Sequence, residues 1–303
     1  DGPGVRFVSV GHYRGLGAML RALPRTWRAV RAALREGDYF AIRGGGGNFG
    51  IVTEFTFQLA PVDWITGGDL WLPATRETIR GYLDYVTAAP DDLTTMGDLT
   101  HAPPAPFIPE EWLGQPVLRI LVCWSGSQEE GERAIEPLRK LAEPIFDNVR
   151  RIPYPEIYQS TEHQTMRHGS ALRTMFAYAV SDDLVETALD AIQQASSPFS
   201  LIQFRGFGGA MAKVDTNATA FAHRQQSYMV TLIALWLDEH EDREVHVSWA
   251  DKYWEAIRHE GSGAYVNFIA SEGPERVRDA YPPETYARLQ RIKAIYDPGN
   301  LFR

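Results

Sequence analysis

A phenol, an amide and a run of glycines are the groups in this sequence with the makings of a reactive site. Tyr265 and Asn267 stand two apart in Ala264-Tyr265-Val266-Asn267-Phe268-Ile269. Read as a strand, that spacing puts both on one face, with Val266 and Phe268 on the other. Polar groups on an otherwise apolar strand must find partners. They are either satisfied core groups or the lining of a cavity that holds a polar ligand. Thr231 poses the same choice. In Tyr228 to Trp236 it shares a face with Met229, Ile233 and Leu235 and is the lone polar member. Taken alone, it reads as a core threonine bonded to a neighbouring carbonyl.

The glycines are Gly44, Gly45, Gly46, Gly47 and Gly50, five in the seven residues 44–50, with Asn48 and Phe49 between them. Such a segment can adopt positive φ and let another surface approach its peptide planes. Val52, Glu54, Thr56 and Gln58 then alternate with Thr53, Phe55, Phe57 and Leu59, so the loop feeds a strand. A Rossmann fingerprint requires strand, glycines, then helix, and a nucleoside-triphosphate loop requires a Gly-Lys-Ser/Thr ending. Neither pattern is present. Two readings stay open: a loop whose N–H groups cradle an anion, or a tight crossing with nothing bound.

Other candidates carry less. Asp238-Glu239-His240-Glu241-Asp242 resembles a metal cluster, but it opens a helix, where acidic side chains complement the dipole. His163 and His168 lack the i, i+4 spacing that sets two imidazoles on one helical face. No metal is expected. One sequon, Asn217-Ala218-Thr219, is within chance. A net charge of −9 argues against nucleic acid as a partner. Cys123, the single cysteine among 303 residues, excludes an internal disulfide and a multi-cysteine metal site. The longest apolar run, Met229 to Leu237, is too short to cross a bilayer, so no membrane partner is expected. Asp1-Gly2-Pro3-Gly4 does not read as a secretion signal, and the chain does not open on Met, so its true start is expected to be missing. Localisation is left open, with the cytoplasm favoured.

The elements that must position these residues follow from periodicity. Val5 to Val10 reads as a short strand. Leu23, Trp27, Val30 and Leu34 mark a helix with a basic opposite side, and Tyr39 to Ile42 reads as a buried strand entering the glycine loop. Strands are predicted over 66–72, 117–124, 171–180, 200–204 and 228–237. Helices are predicted over 78–86, from Ser127, over 182–195 and over 241–258. Ser127 and Glu130 stand in capping-box spacing. Five prolines mark 100–116 as irregular. The expected class is α+β, a large antiparallel sheet backed by helices.

Taken together these segments resemble a known family. Asp38-Tyr39-Phe40-Ala41-Ile42-Arg43 and the glycine run to Thr53 are similar to the "DLFWALRGGGGNFGVVT" signature of FAD-linked oxidases of the berberine bridge enzyme type, in the vanillyl-alcohol oxidase fold group. In the family's order come Pro153-Tyr154 with Gln159; Gly208-Gly209-Ala210 with Ala220-Phe221 and His223-Arg224; and Tyr265-Val266-Asn267-Phe268, similar to "YxNY". Tyr296-Asp297-Pro298-Gly299-Asn300-Leu301-Phe302-Arg303 resembles the closing "YDPxNLFR". The resemblance covers residues 38–303.

It implies a partial FAD-binding domain over 1–60, a substrate domain over 61–258 and a return to the FAD-binding domain over 259–303. It implies FAD as cofactor, with Gly45, Gly46, Gly47, Asn48, Phe49, Gly50, Val52 and Asn267 near it. It implies a small-molecule substrate near Thr231 and Tyr228. Plant relatives carry a general base near the position of Thr231, which a threonine cannot replace. Tyr265 is therefore the expected proton acceptor, as in bacterial relatives. A phenol, with an ordinary pKa of about 10, needs a cation or a hydrogen bond to act near neutrality. The implied reaction is oxidation of a substrate C–H or alcohol, with hydride passing to flavin N5 and dioxygen reoxidising the flavin. The family places most of its flavin domain, including a covalently linking histidine and cysteine, ahead of the glycine loop, and only 37 residues precede Asp38 here. A fragment of a longer flavoprotein is the first expectation. The alternative is a flavin-free relative acting as a non-redox cyclase, isomerase or binding module.

Overall fold

The structure, a computed structural model, describes residues 5–8, 40–55, 62–158, 168–237, 241–269 and 273–303. The helix expected over 23–35 and the readings at Tyr39, Gln159, His163 and 238–240 lie outside the described residues. The chain divides into two compact units. One comprises Asp1–Pro61, Val214–His223 and Glu272–Arg303, the other Val62–Lys213 and Arg224–Ser271.

In the first unit, β1 (Val5–Val8) pairs antiparallel with β2 (Ile51–Phe55). Helices Pro274–Ala280 and Pro283–Tyr296, which periodicity did not single out, each begin with proline, whose fixed φ and missing N–H suit a first helical turn. Phe40 to Ile42 is a turn, not the expected strand. Arg43 N–H reaches the Phe40 carbonyl at 3.3 Å and Gly45 N–H the Ala41 carbonyl at 2.9 Å. Phe40 and Ala41 are nevertheless buried, so the apolar run marked burial and not backbone extension.

The second unit is an antiparallel sheet covered on one face by helices. It contains β3 (Trp64–Pro73), β4 (Leu93–His101), β5 (Pro116–Trp124), β6 (Phe146–Asp147), β7 (Arg150–Pro153), β8 (Gly169–Ala177), β9 (Leu201–Gly206) and β10 (Tyr228–Trp236). Their order is β6-β3-β5-β4-β9-β10-β8, with β7 also on β3. Four helices cover it: α1 (Arg76–Ala88), α2 (Gln128–Arg139), α3 (Asp182–Gln193) and α4 (Arg243–Ile257). Each starts at a side-chain cap, from Thr75, Ser127, Ser181 and Asp242 respectively, which satisfies otherwise orphaned N–H groups. The Ser127–Glu130 capping box forms as its spacing predicts, with Ser127 Oγ donating to Glu130 at 2.6 Å and accepting from Glu130 N–H at 3.4 Å.

Alternation sets the core. Leu70 and Leu72, Leu118, Ile120 and Val122, Ile202 and Phe204, and Val230 and Leu232 all pack with Ile79, Leu83, Ile135, Leu184 and Trp254 from the helices. Strand β4 was not expected, because Leu93-Thr-Thr-Met-Gly-Asp-Leu-Thr-His101 is polar and carries a glycine. Gly97 has a packing reason. A Cβ there would meet the Tyr82 ring at 2.5 Å, so the glycine admits an aromatic from α1. The irregular connection is accordingly shorter than the prolines suggested, running over 102–115.

Candidate functional site

The odd-phase residues of the strands point away from the helices, and six of them form one straight row. Trp71 on β3 stands opposite Arg119 on β5, Arg119 opposite Asp98 on β4, and Asp98 opposite Gln203 on β9. Gln203 stands opposite Thr231 on β10, and Thr231 opposite Thr174 on β8. Cross-strand neighbours lie within side-chain reach, and the polar members use it. Arg119 Nε donates to Asp69 at 2.7 Å, with Arg119 Nη1 3.6 Å from Asp98. Gln203 Nε2 donates to Asp98 at 2.8 Å. The Thr231 and Thr174 hydroxyls lie 3.3 Å apart, so Thr231 is bonded within the core, to a hydroxyl where a carbonyl was expected.

One further strand residue extends this network. Arg205 Nε donates to Gln203 Oε1 at 2.6 Å, and the guanidinium lies 5.4 Å from the centre of the Phe268 ring. Burial pulls the Arg205 guanidinium below its usual value, while Asp98 and Tyr265 oppose the shift. Burial likewise raises the Asp98 carboxyl above the usual range, against the pull of Arg119 and then Gln203. The order −, +, −, amide, + along Asp69, Arg119, Asp98, Gln203 and Arg205 lets ions survive in a poorly hydrated place, since each has an opposite charge or a dipole beside it.

Tyr265 and Asn267 do not lie on a strand. Val266–Phe268 is a single 3-10 turn closed by Phe268 N–H on the Tyr265 carbonyl at 2.8 Å. The expected alternation is therefore corrected, and the turn brings the pair together in another way. Asn267 Nδ2 donates to Tyr265 Oη at 2.9 Å. The Phe268 ring stands edge-on to Tyr265 at 5.0 Å. A bridge between Ser262 and Phe176 fastens this segment to β8. Tyr228 points to the other side of the sheet. Its hydroxyl donates to the Leu83 carbonyl at 2.8 Å within the helix-side core, and burial raises its pKa. Tyr228 and Thr231, expected together near the substrate, thus stand on opposite faces of the sheet.

Sequence reasoning passed over Asp69, Asp98, Arg119, Gln203 and Arg205. A signal existed for three of them. Arg119 is the one charge in Val117-Leu-Arg-Ile-Leu-Val-Cys-Trp124, and Gln203 and Arg205 alternate with Ile202 and Phe204.

In the first unit the glycines divide by role. Gly44 has φ 114°, and a Cβ there would lie 2.3 Å from Phe221 N. Its carbonyl accepts from the Tyr281 hydroxyl at 3.2 Å, a phenol that burial pushes up to about 12. A Cβ on Gly45 would collide with the Ala41 carbonyl at 2.1 Å. Gly46, at φ 66°, takes a left-handed turn. Gly47 and Gly50 have nothing within 4 Å of a built Cβ. Asn48 is committed on both sides. Its Nδ2 donates to the Gly45 carbonyl at 2.8 Å, and its own carbonyl accepts from Lys293 Nζ at 2.5 Å. Lys293 also reaches Asp297 at 2.5 Å and the Phe302 carbonyl, while Asp297 accepts from the N–H groups of Leu301 and Phe302. Val52 is half-buried on β2, and Phe49 packs against Gly45. Gly44 and Gly45 therefore serve the tight crossing, whereas at Gly47 and Gly50 no atom of the described residues crowds a built Cβ. Among the described residues no group of three or more His, Cys, Asp or Glu is disposed to hold a metal, and no helix is long and apolar enough to cross a membrane.

Residues 264–303 match the family model described as "Berberine and berberine like". A FAD-linked oxidoreductase of Dictyostelium discoideum is 25% identical over 272 residues, which is 87% of this chain and 56% of that protein. (R)-6-hydroxynicotine oxidase of Paenarthrobacter nicotinovorans is 27% identical over 282 residues, 88% of this chain and 58% of that protein. The solved structure of berberine bridge enzyme from Eschscholzia californica superposes with a TM-score of 0.69 at 19% identity, over 87% of this chain and 59% of that one. A variant of berberine bridge enzyme has been solved with (S)-reticuline bound. The chain thus spans somewhat over half the length of the proteins it matches, and its antiparallel sheet with helices is the berberine bridge and vanillyl-alcohol oxidase arrangement. In sequence and in fold the chain is similar to FAD-linked oxidoreductases of the berberine bridge type, and the family match is confined to residues 264–303.

Proposed function

We propose that the protein to which this chain belongs is an FAD-dependent oxidase of a small organic substrate, with Tyr265 as its proton-accepting residue. The observation that carries this reading is the Asn267 amide donating at 2.9 Å to the Tyr265 oxygen. A donor aimed at the phenol oxygen fixes the direction of its remaining lone pair, the geometry a positioned proton acceptor requires. Thr231 has no acid–base capacity, and its hydroxyl meets that of Thr174. Its part is to shape the sheet face beside Gln203, where substrate lies.

The residues fit a flavin. Gly47 and Gly50 leave open space where side chains would stand, Asn48 fixes the loop from within, and Val52 follows on β2. When bound, FAD supplies a two-electron acceptor for hydride and a route to dioxygen. Gly47 and Gly50 admit the cofactor closely, and Asn267 orients Tyr265. Tyr265 Oη receives a proton from the substrate group whose carbon is being oxidised, a step in which a positioned acceptor is worth about 100-fold or more.

The test is the absorbance spectrum of the full-length protein and its titration with FAD. Stoichiometric flavin is the expected result, and a colourless protein that takes up none removes the reading.

A further inference from the structure

We propose that Arg205 is a positioning residue for Tyr265, holding the Phe268–Tyr265 aromatic pair in place and presenting a fixed positive charge to the Tyr265 oxygen; this deepens the oxidase reading and rests on it. The guanidinium stands over the face of Phe268, an arrangement attractive for a cation, and Phe268 in turn packs edge-on to Tyr265. Arg205 is itself aimed. Its Nε is held by Gln203 Oε1, and the amide is held at its other end by Asp98. Asp98 lies next to Arg119, which binds Asp69. Two carboxylates and two guanidinium groups make this chain neutral as a whole, and the end nearest the phenol is cationic. Arg205 remains charged even where burial works against it, because a guanidinium does not lose its proton in proteins. The phenol oxygen accepts from the Asn267 amide, and the Arg205 guanidinium interacts electrostatically with the same side chain. Met96 and Met229 stand opposite Arg205 on either side, so neither cross-strand neighbour offers a competing charge.

The test has one arm free of flavin and one that uses it. In protein labelled with 3-fluorotyrosine, the Tyr265 resonance is assigned by its loss in Tyr265→Phe. Arg205→Gln should shift and broaden that resonance, and Arg205→Lys, which keeps the charge, should restore it in large part. Gln203→Met, which frees the guanidinium without removing it, should move the resonance in the same direction and covers the case of a poorly folding Arg205→Gln. Lys213→Gln, at an exposed ion pair with Asp91, should leave it in place. In the full-length flavoprotein Arg205→Gln should lower kcat by about tenfold or more with KM changed by less than about threefold, a part of the full proton-transfer advantage. An unmoved resonance overturns the proposal, as does a change in KM with kcat intact. Loss of flavin binding in the unaltered protein would instead strike the oxidase reading, which separates the two.

Discussion

Gln203 donates to the Asp98 carboxylate at 2.8 Å from directly across the sheet. Asp98 is 3% exposed, and burial raises its carboxyl above the usual range despite Arg119 and Gln203. A carboxyl whose folded value exceeds its unfolded one binds more protons folded than unfolded. Its contribution to stability is therefore present at low pH and lost as pH rises through the raised value. Asp98→Asn removes that loss. In urea unfolding at a series of pH values, the stability of the parent minus that of Asp98→Asn should fall as pH climbs out of the ordinary carboxylate range. The charged groups facing Asp98 are Arg119, Asp69 and Arg205. Parallel pH curves for the two proteins would refute the assignment.

Gly44 and Gly47 should respond oppositely to alanine. At Gly44 the left-handed φ of 114° and the 2.3 Å approach to Phe221 N leave no room. Gly44→Ala should cost about 2 kcal/mol or more, read as a lowered melting temperature. At Gly47 a methyl group meets open space, so Gly47→Ala should change stability by no more than about 0.5 kcal/mol. In the full-length protein the same substitution should weaken FAD retention, measured by flavin absorbance after gel filtration. Retention equal to the parent would show that the cofactor does not approach the loop at Gly47.

Lys293 joins three parts of one clasp: the Asn48 carbonyl, the Phe302 carbonyl and Asp297. Burial pulls the Asp297 carboxyl upward, but Lys293 and the N–H groups of Leu301 and Phe302 outweigh it and hold the group below the usual range. A depressed carboxyl contributes stability above its unfolded value and loses it as pH falls through the folded one. Lys293→Met should cost about 1–3 kcal/mol near neutrality, since it strands hydrogen-bonding partners of low exposure. It should also move the acid-side loss of stability to higher pH. Acid unfolding followed by circular dichroism at matched ionic strength decides the point, and an unshifted acid midpoint would sink it.

Much of this fold was legible in the sequence, because the information was local. Val117 to Trp124 and Tyr228 to Trp236 read as strands from their composition, and Ser127 with Glu130 announced a helix that the structure caps in that way. The failures share a cause. Strand β4 was hidden because Gly97 answers to Tyr82 on α1, fifteen residues away in the chain. The 265–268 turn was misread because Tyr265 and Asn267 satisfy strand alternation and a 3-10 turn equally well, and the turn, closed by Phe268 N–H on the Tyr265 carbonyl, is what forms. The row from Trp71 to Thr174 was invisible for a deeper reason. Register across six strands creates it, and no spacing along the chain encodes register. The glycine loop showed the opposite behaviour. Its pattern was conspicuous, yet Gly44 and Gly45 prove to be shaped by Phe221 and Ala41, and among the described residues only its far edge at Gly47 and Gly50 is uncrowded.

Tyr265 and Thr231 can be separated by their effects on catalysis. Tyr265→Phe keeps the ring that packs on Phe268 and removes the oxygen that Asn267 addresses. In the full-length flavoprotein it should lower kcat about 100-fold or more, with little change in melting temperature. Thr231→Val removes a hydroxyl and nearly preserves volume. Thr231 is wholly buried against Thr174, so the substitution should cost on the order of 1 kcal/mol of stability while kcat stays within about threefold, below the range of a proton-transfer group. The contrast is the measurement that matters. If Thr231→Val abolished turnover and Tyr265→Phe did not, the proton acceptor would lie on β10 or be reached through it, and the amide–phenol pair at 265–267 would be left with a packing role.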